Sequence, residues 1–391
     1  MAPAGKTVTA WLFGGGWIAL LALPFVGPVR ALQIALAVGI GGVALHAARR
    51  VPLGSLASGI RQTAFSGWSV AARHAALFLG AGLLVLLTLP LHANNYVIDV
   101  ATTTLIYVIL ALGLNLVVGQ TGLLHLGYVA FYGIGAYTYA LLSAGAHASF
   151  WVGLPAAMAA AALFGLVLGF PVLRLRGDYL AIVTLGFGEV TRLVLRNWDE
   201  VTNGPNGILG IARPSLGGWV LDTPASFYYC VLVLALAALF AMRRVFQSRI
   251  GRAWVAIRED ELAARTVGID VARYKLLAFA LGAAVAGLGG SVFAAKMTFV
   301  SPESFTFFES VIILCMVVLG GMGSLPGVVL GAAVITILPE LLRGFSDYRM
   351  LIFGAAMVLM MVFRPQGLIG SRSLAYEYRR PAGRGVPPRS R

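Results

Sequence analysis

The feature that most constrains this chain is the recurrence of apolar stretches long enough to cross a lipid bilayer. They follow one another from residue 11 to residue 363, separated by short segments that carry nearly all of the arginines. A membrane-spanning helix needs about 20 mostly apolar residues. Hydrophobic residues make up 59% of the sequence and charged residues only 11%. Runs such as 75–91 and 310–318 show no alternation of the kind that membrane β-strands require. The sequence therefore predicts an all-α, polytopic transmembrane helical bundle.

Hydropathy places the candidate spans near residues 10–28, 31–48, 75–92, 97–118, 122–145, 150–173, 179–196, 224–242, 276–295, 309–320, 325–342 and 349–364. The stretch 309–320 is too short to cross about 30 Å at 1.5 Å per residue. It is expected to be a half-helix or a re-entrant segment, which gives a total of 10 to 12 helices. Most of the 29 basic residues fall in alternate connecting segments. Because basic residues in short loops stay cytoplasmic, both termini are predicted to be cytoplasmic.

Three regions of the chain differ in amino-acid composition and in the length of their loops. Residues 1–95 hold plain apolar helices joined by a basic segment, and they are expected to form an accessory N-terminal module. Residues 96–370 carry glycine-rich turns, polar residues within the spans and longer loops, which a transport path requires. They are expected to form the core with the pore. Residues 371–391 are basic and proline-rich, and we expect a disordered cytoplasmic tail.

Two glycine-rich turns echo each other, each between two apolar runs. The first contains Gly119 and Gly122, and the second contains Gly320, Gly321 and Gly323. Transporters often arise from internal repeats, with binding sites at glycine-interrupted helices. We therefore interpret these residues as helix-break glycines. The alternative is that they reflect only the general frequency of glycine in membrane helices.

Polar side chains beside the first turn are the first candidates for lining a pore. Asn115, Gln120 and Thr121 cluster there, and an unpaired polar group in hydrocarbon costs several kcal/mol unless it faces a cavity or a partner. Hydrogen bonding between helices is an equally good interpretation. Glu189 and Arg192 are spaced i, i+3 on one helix face, which favours a structural ion pair over a contact with substrate.

Other polar residues point to no enzymatic chemistry. The five histidines are scattered singly, so no metal site is predicted. Three acids near the ends of predicted spans, Asp99, Glu309 and Glu340, are expected to be solvated at the membrane interface. The net charge of +14 is spread over membrane-flanking segments and not gathered on one soluble face, so no nucleic acid partner is expected.

The segment from residue 243 to residue 275 is polar enough to leave the bilayer, yet its apolar residues recur at near-helical spacing. We predict a short amphipathic helix that either lies on anionic lipid or docks on a cytoplasmic partner. Three consecutive acids, Glu259, Asp260 and Glu261, disfavour anionic lipid and favour docking. Gly268 is a plausible helix C-cap.

The same segment carries a resemblance to a known family. Residues 252–269 and 274–279 are similar to the cytoplasmic coupling loop of LivM-type permeases of branched-chain amino acid ABC transporters. The similarity extends to residues 113–122, 133–137, 177–185 and 203–207, and to Gly320-Gly-Met-Gly-Ser-Leu-Pro-Gly327. Together these motifs cover residues 100–370 in the order of the family. Relatives commonly carry a serine and a histidine where His125 and Tyr128 stand.

The resemblance implies an inner-membrane importer that works by alternating access. Its implied partners are a second, LivH-like permease subunit, two cytoplasmic ATPases, a periplasmic binding protein and membrane lipid. ATP would be used by the ATPases, so that this chain is no enzyme and binds no cofactor. The residues that would transmit the closure of the ATPases to the pore are Arg252, Arg258, Glu259, Asp260, Glu261, Ala263, Ala264 and Gly268.

Other functions compete with an importer of branched-chain or related hydrophobic amino acids. An importer of urea or short amides would use the same mechanism. An ion-coupled secondary carrier would need a titratable or sodium-binding site at the midplane, which few deeply placed acids could provide. An integral-membrane enzyme would need a clustered nucleophile, base or metal set, and the sequence contains no such cluster.

Overall fold

The computed structural model describes residues 86–173, 175, 177–216, 219–341, 354, 358 and 367–368. They belong almost entirely to the second of two compact units, Leu87–Arg391. The predicted spans 10–28 and 31–48, residues 75–85 of the span 75–92, nearly all of the span 349–364, most of the accessory module 1–95 and the tail 371–391 lie outside the described residues.

Helices dominate the described residues. The first half contains α1 (Asn95–Leu114, extended by a π-helical turn at Asn115–Gln120), α2 (Val129–Ala146), α3 (Phe150–Val172), α4 (Asp178–Asn197) and α5 (Pro224–Gln247). The second half contains α6 (Arg249–Glu259), α7 (Glu261–Thr266), α8 (Val271–Met297), α9 (Phe307–Gly320) and α10 (Leu325–Leu341). Single helical turns occur at Asp199–Thr202, Gly204–Asn206 and Pro302–Ser304.

Strands are short and lie in the loops. β1 (Ile208–Leu209) pairs antiparallel with β4 (Phe299–Val300), and β2 (Ser215–Leu216) pairs antiparallel with β3 (Trp219–Val220). Within the described residues, five helical segments are long and apolar enough to cross a membrane: Asn95–Gln120, Phe150–Val172, Pro224–Gln247, Val271–Met297 and Pro302–Gly320. The all-α prediction is confirmed.

Small residues let the central helices approach closely. α8 packs against α1, α2 and α3. A Cβ atom on Gly135 of α2 would lie 2.4 Å from the Cα atom of Gly287, and one on Gly165 of α3 would lie 2.7 Å from the Cβ atom of Ala283. Lipid tails are as apolar as the helices, so close contact between backbones has to hold such a bundle together. Glycine is therefore a packing residue at these crossings.

Several predicted boundaries are wrong, for identifiable reasons. The span 122–145 begins only at Val129, because the chain leaves the helix at Gly122, whose φ is +71°. The stretch 309–320 lies in α9, which begins two residues earlier, at Phe307, and has 14 residues, so the half-helix stays a prediction. Helices α5 and α8 extend beyond their predicted spans, which places Arg243, Arg244 and Lys275 on helices.

Contacts between helices define two ends of the bundle. At one end the turn after α1 meets the turn between α9 and α10 and the helix α6; we call this the turn end. At the other end the start of α1 meets the end of α8, close to the paired strands β1 and β4; we call this the strand end. Helices α9 and α10 pack as an antiparallel hairpin, and both contact α1.

The crossing of α2 and α8 generates a stability prediction. Gly135→Ala should destabilise the protein by about 1–3 kcal/mol, because the added methyl group overlaps the backbone of Gly287. Gly145→Ala on the same helix is the matched control, since a Cβ atom there meets nothing within 4 Å. Unfolding of both purified variants in mixed micelles with increasing SDS measures the difference. Equal stability of the two variants would contradict the packing role.

Candidate functional site

The two glycine turns meet at the turn end, where side chains of the first hold the backbone of the second. The Asn115 Oδ1 atom accepts a hydrogen bond of 2.7 Å from the Gly323 N–H group. The Gln120 Nε2 atom donates a hydrogen bond of 3.1 Å to the Gly323 carbonyl. A Cβ atom on Gly119 would lie 2.4 Å from the Gly323 nitrogen, so the approach requires glycine there. The two echoing turns are therefore parts of one site.

These hydrogen bonds satisfy backbone polar groups that the helix break leaves without partners. A helix that breaks inside a membrane protein frees N–H and C=O groups that water cannot satisfy. Asn115 and Gln120 supply the missing partners from neighbouring positions of the π-helical turn. Thr121 donates to the Val117 carbonyl of its own helix.

The three pore-lining candidates all form hydrogen bonds within the protein. Asn115, Gln120 and Thr121 are all buried within the bundle, and the first two hydrogen-bond between segments. The Asn115 Nδ2 atom has no hydrogen-bond partner among the described residues. Their role in a pore stays a prediction.

The end of the described chain also reaches this site. The Leu368 N–H group donates to the Leu319 carbonyl at 2.8 Å. A Cβ atom on Gly367 would lie 2.4 Å from the Cα atom of Gly321. The second turn is thus held on two sides, by α1 and by residues 367–368. Gly321 and Gly323 have φ values of +113° and +83°, which favour glycine.

The predicted amphipathic helix is in fact two helices, and the single-helix prediction is wrong. Asp260 is extended (φ −157°, ψ 113°) and separates α6 from α7. Its Oδ1 atom accepts hydrogen bonds from Leu262 N at 2.8 Å and Ala263 N at 3.0 Å. It therefore acts as the N-cap of α7, a role that a carboxylate fills well. Gly268 follows α7 with φ +85°, as its prediction as a turn residue requires.

The buried face of α6 connects the helix pair to the first glycine turn. The Arg258 Nη1 atom donates a hydrogen bond of 2.6 Å to the Gly119 carbonyl. A Cβ atom on Gly122 would lie 2.7 Å from the Arg258 Cγ atom, so both glycines leave room for this side chain. The fully buried Trp254 donates from Nε1 to the Tyr274 carbonyl at 2.8 Å. Arg258 is therefore a direct link between α6 and the helix break.

Helix α7 is held by an ion pair to α8. The Lys275 Nζ atom lies 2.9 Å from the Glu261 Oε2 atom, and the lysine side chain is only 4% exposed. Arg265 also pairs with Glu261, at 2.6 Å. The Glu261 side chain thus faces the bundle and holds α7 against α8.

The other predicted coupling residues divide between the buried and the exposed face of the helix pair. Ala264 is buried, at 3% exposure. Glu259, Asp260, Ala263 and Gly268 are exposed. Arg252 is also exposed, and its Nη1 atom donates to the Gln247 carbonyl at 3.3 Å. The outward surface of α7 carries apolar side chains as well, with Leu262 at 62% and Val267 at 75% exposure.

The predicted pair on α4 is present and belongs to a wider network at the strand end. Arg192 lies 3.0 Å from Glu189. Arg192 and Arg196 also approach Glu303, at 3.7 Å and 3.8 Å, and Glu303 lies in the turn that precedes α9. The structural interpretation of Glu189 and Arg192 therefore has contacts to support it.

Sequence reasoning missed a polar stripe on α1. Asp99, Thr103 and Tyr107 lie one helical turn apart and contact Lys296 of α8 or Glu309 of α9. Glu309 was expected to be solvated at a span end, but it lies within the segment Pro302–Gly320 and accepts a hydrogen bond from Tyr107. The i, i+4, i+8 spacing of the stripe was a signal available in the sequence.

The two departures from the family pattern lie in the core. His125 and Tyr128 are fully buried, and the His125 ring packs against the rings of Tyr128, Phe131 and Phe279. The Tyr128 hydroxyl donates to the Gly282 carbonyl at 3.0 Å. These residues therefore shape packing in this conformation. In the part of the chain that the structure describes, no group of three or more metal-ligating side chains occurs.

The chain is similar to known proteins over most of its length. The profile of the family described as branched-chain amino acid transport system / permease component matches residues 96–361. The high-affinity branched-chain amino acid transport system permease protein LivM of Escherichia coli is 50% identical over 318 residues, which cover 75% of this chain and 74% of that protein.

More distant relatives match over similar lengths. The permease protein LivH of Salmonella typhimurium is 26% identical over 287 residues, covering 68% of this chain and 91% of the relative. The ribose import permease protein RbsC of E. coli is 28% identical over 281 residues, covering 68% and 84%. No solved structure matches the chain significantly.

The ion pair between α7 and α8 generates a prediction. Lys275→Met should destabilise the protein by about 3 kcal/mol, because it leaves the largely buried Glu261 carboxylate without its lysine. The double variant with Glu261→Gln should recover part of that loss, and SDS unfolding in mixed micelles measures the cycle. Arg273→Met is the control, since this side chain is 87% exposed. Strictly additive effects of the two substitutions would contradict the coupling.

Proposed function

This chain belongs to the family of branched-chain amino acid transport system permease components, and we propose that it forms one half of the translocation pore of an ATP-driven importer of such amino acids. It is a multi-pass membrane protein and a permease subunit, and hydrolysis of ATP belongs to separate subunits. The observation that carries the proposal is the hydrogen bond between Arg258 and the Gly119 carbonyl. It connects a surface that a soluble partner can reach to a break in a buried helix.

The proposed coupling runs through three contacts in series. A partner that moves the exposed face of α7 also moves α6, because only Asp260 separates the two helices. Arg258 then displaces the carbonyl of the first glycine turn. Asn115 and Gln120 pass the displacement to Gly323 in the second turn. Both helix breaks therefore respond together, as alternating access requires.

The exposed residues of α6 and α7 are the proposed docking surface for a cytoplasmic ATPase. Leu262 and Val267 offer apolar contact area, and Glu259 and Asp260 offer charge. Such a mixture suits a groove on a protein better than an anionic lipid surface. No cofactor is assigned to this chain. ATP would be bound and hydrolysed by two such partner subunits.

The turn end is proposed to face the cytoplasm and the strand end the periplasm, across a bacterial inner membrane. The concentration of basic residues in the α5–α7 region supports this orientation, as does the position of the C-terminal residues 367–368 beside the second turn. Exposed apolar side chains at the strand end, Leu209 at 70% and Trp219 at 83%, would serve a periplasmic binding protein. Both termini would then be cytoplasmic.

A second permease subunit is proposed to complete the pore. Relatives of this chain include both LivM and LivH proteins, so a heterodimer of two such subunits is the expected assembly. Exposed apolar residues of α3, such as Leu163, Val167 and Phe170, would contact lipid. Urea and short amides remain alternative cargoes by the same mechanism, and an ion-coupled secondary carrier is the weaker alternative.

A reconstitution experiment tests the class of transporter. The chain is co-reconstituted into proteoliposomes with the second permease subunit, the ATPases and the binding protein, and uptake of radiolabelled leucine is followed. Uptake should require both ATP and the binding protein. Uptake driven by a sodium or proton gradient without ATP would contradict the proposal. Competition by urea or acetamide in place of leucine would point to the alternative cargo.

The coupling contact is tested by Arg258→Ala. Loss of the hydrogen bond to the Gly119 carbonyl should lower leucine uptake at least about tenfold, since a charge-assisted hydrogen bond of this kind contributes about 1.5–3 kcal/mol. ATPase association and ATP hydrolysis should persist. Arg273→Ala, which removes an exposed cytoplasmic arginine, should leave uptake unchanged. Parallel loss of association and uptake in Arg258→Ala would show a docking defect and contradict the coupling role.

A further inference from the structure

The polar stripe on α1 stands out because the other half of this helix, towards the turn end, is fully buried. From Val108 to Thr121 every residue of the helix and its π-helical turn is buried. Towards the strand end, one face is open, and it carries Asp99, Thr103 and Tyr107 at i, i+4 spacing. We call these three residues the α1 stripe. A helix face in a membrane that is both accessible and polar does not suit lipid.

Neighbouring helices add one charge of each sign to this face. Lys296 of α8 lies 3.0 Å from the Asp99 carboxylate and also hydrogen-bonds to the Thr103 hydroxyl. The Tyr107 hydroxyl donates to the Glu309 Oε2 atom at 2.9 Å. Thr103 and Tyr107 are one helical turn apart, so an ammonium group and a carboxylate group are held at successive levels of one face.

The Tyr107–Glu309 pair lies deep in the bundle. Twelve residues separate Tyr107 from Gly119 at the turn end, which corresponds to about 18 Å along the helix axis. Tyr107 is the thirteenth residue of the 26-residue segment Asn95–Gln120, which is long enough to cross a membrane, so the pair lies halfway along that segment. An acid at such a depth is expensive and marks a path or a binding site far more often than a structural role.

Glu309 is also incompletely satisfied. A carboxylate has room for about four hydrogen bonds, and within the described ranges Glu309 receives one, from the neutral phenol of Tyr107. No basic side chain of the described residues forms an ion pair with it, whereas Lys296 already has Asp99. The side chain is partly accessible. It can therefore accept a mobile cationic group.

The surroundings fit an amino acid better than an inorganic cation. The Tyr132 ring packs on Phe305, with 5.0 Å between the ring centroids, and both side chains are buried. A carboxylate and a phenol are enough acceptors for an ammonium group, whereas an ion such as Ca²⁺ takes about 6–8 oxygen ligands. Since the Tyr107 hydroxyl donates to Glu309, its lone pairs remain available to a second donor.

We propose that the α1 stripe lines the strand-end half of the translocation path, and that Glu309 and Tyr107 bind the α-ammonium group of the amino acid that passes it. Lys296, one turn further towards the strand end, is paired with Asp99 and keeps this face of α1 polar there. The proposal rests on the proposed function, because it takes a zwitterionic amino acid as the cargo.

The decisive variant is Glu309→Gln in the complete transporter reconstituted in proteoliposomes. It keeps the shape and the hydrogen-bonding capacity of the side chain but removes its charge. ATP-dependent uptake of radiolabelled leucine should fall at least about tenfold, as loss of one partner of a desolvated charge contact does. Hydrolysis of ATP by the assembled complex should continue. Thr336→Val is the matched control, because it removes a 2.9 Å hydrogen bond to Thr104 of α1 without removing a charge.

A labelling experiment tests the path even if Glu309→Gln folds poorly. With Cys230 and Cys315 replaced by serine, Thr103→Cys in the complete transporter should react with a membrane-impermeant, cationic methanethiosulfonate added at the strand end. Loading the binding protein with leucine should slow the reaction. Val167→Cys, on the exposed apolar face of α3, should not react.

The outcomes separate the two proposals. If the wild-type complex takes up leucine but Glu309→Gln does so within twofold of it, the binding site is overturned and the importer stands. If Thr103→Cys is unreactive in an active complex, the path is overturned. If the wild-type complex takes up no branched-chain amino acid, the proposed function fails and the site fails with it.

Discussion

The structure depends on how a membrane protein satisfies backbone groups where a helix stops inside the bundle. Both glycine turns at the turn end free N–H and C=O groups, and those that are buried need partners within the protein. The side chains of Asn115 and Gln120, in the π-helical turn that extends α1, hydrogen-bond to both backbone polar groups of Gly323. The same glycines that break the helices let the turns come close enough for these contacts. The glycines that break the helices therefore also allow the two turns to join. Helix α6 contacts this junction through Arg258.

Around this junction, the rest of the bundle is built for close and uniform packing. Helix α8 contacts three other helices through glycines and alanines, so its backbone is fixed along much of its length. The two ends differ in character. At the turn end, hydrogen bonds to backbone join the two glycine turns, and the ion pair Lys275–Glu261 joins α7 to α8. At the strand end, ion pairs such as Lys296–Asp99 and Arg192–Glu303 join neighbouring segments. A protein that exposes its two ends in turn needs contacts at each that can be exchanged, and ion pairs near water are easily exchanged.

Much of the fold was accessible from sequence because hydropathy and local signals agreed. The spans 150–173 and 179–196 match α3 and α4 to within one residue at each end. The span 122–145 failed because residues 122–128 are apolar enough to read as helix, while Gly122 and tertiary contacts keep them out of one. The stretch 309–320 matches α9 to within two residues, because the polar Glu309 lies in the first turn of that helix. Hydropathy averages cannot see that Tyr107, two hundred residues earlier, provides its partner.

The candidate site divides in the same way. The glycine turns and the segment 252–268 were found because their composition departs from the surrounding apolar helices. Their association was not predictable, because a hydrogen bond such as that between Arg258 and Gly119 joins residues distant in sequence and leaves no local pattern. The division of the helix pair at Asp260 was equally hidden, since three consecutive acids fit a helix as well as a cap. The roles of these residues depend on which groups they contact, and only the folded structure shows those contacts.

The π-helical turn Asn115–Gln120 has a consequence for the rest of α1. A π-helical turn holds one residue more than an α-helical turn, so it sets the angular phase between the residues before it and those after it. If the turn relaxed to α-helical geometry, the first glycine turn that follows it would rotate by about 100° relative to the body of α1. The π-helical turn therefore fixes the direction in which Gln120 and the first glycine turn face relative to the polar residues at the start of α1.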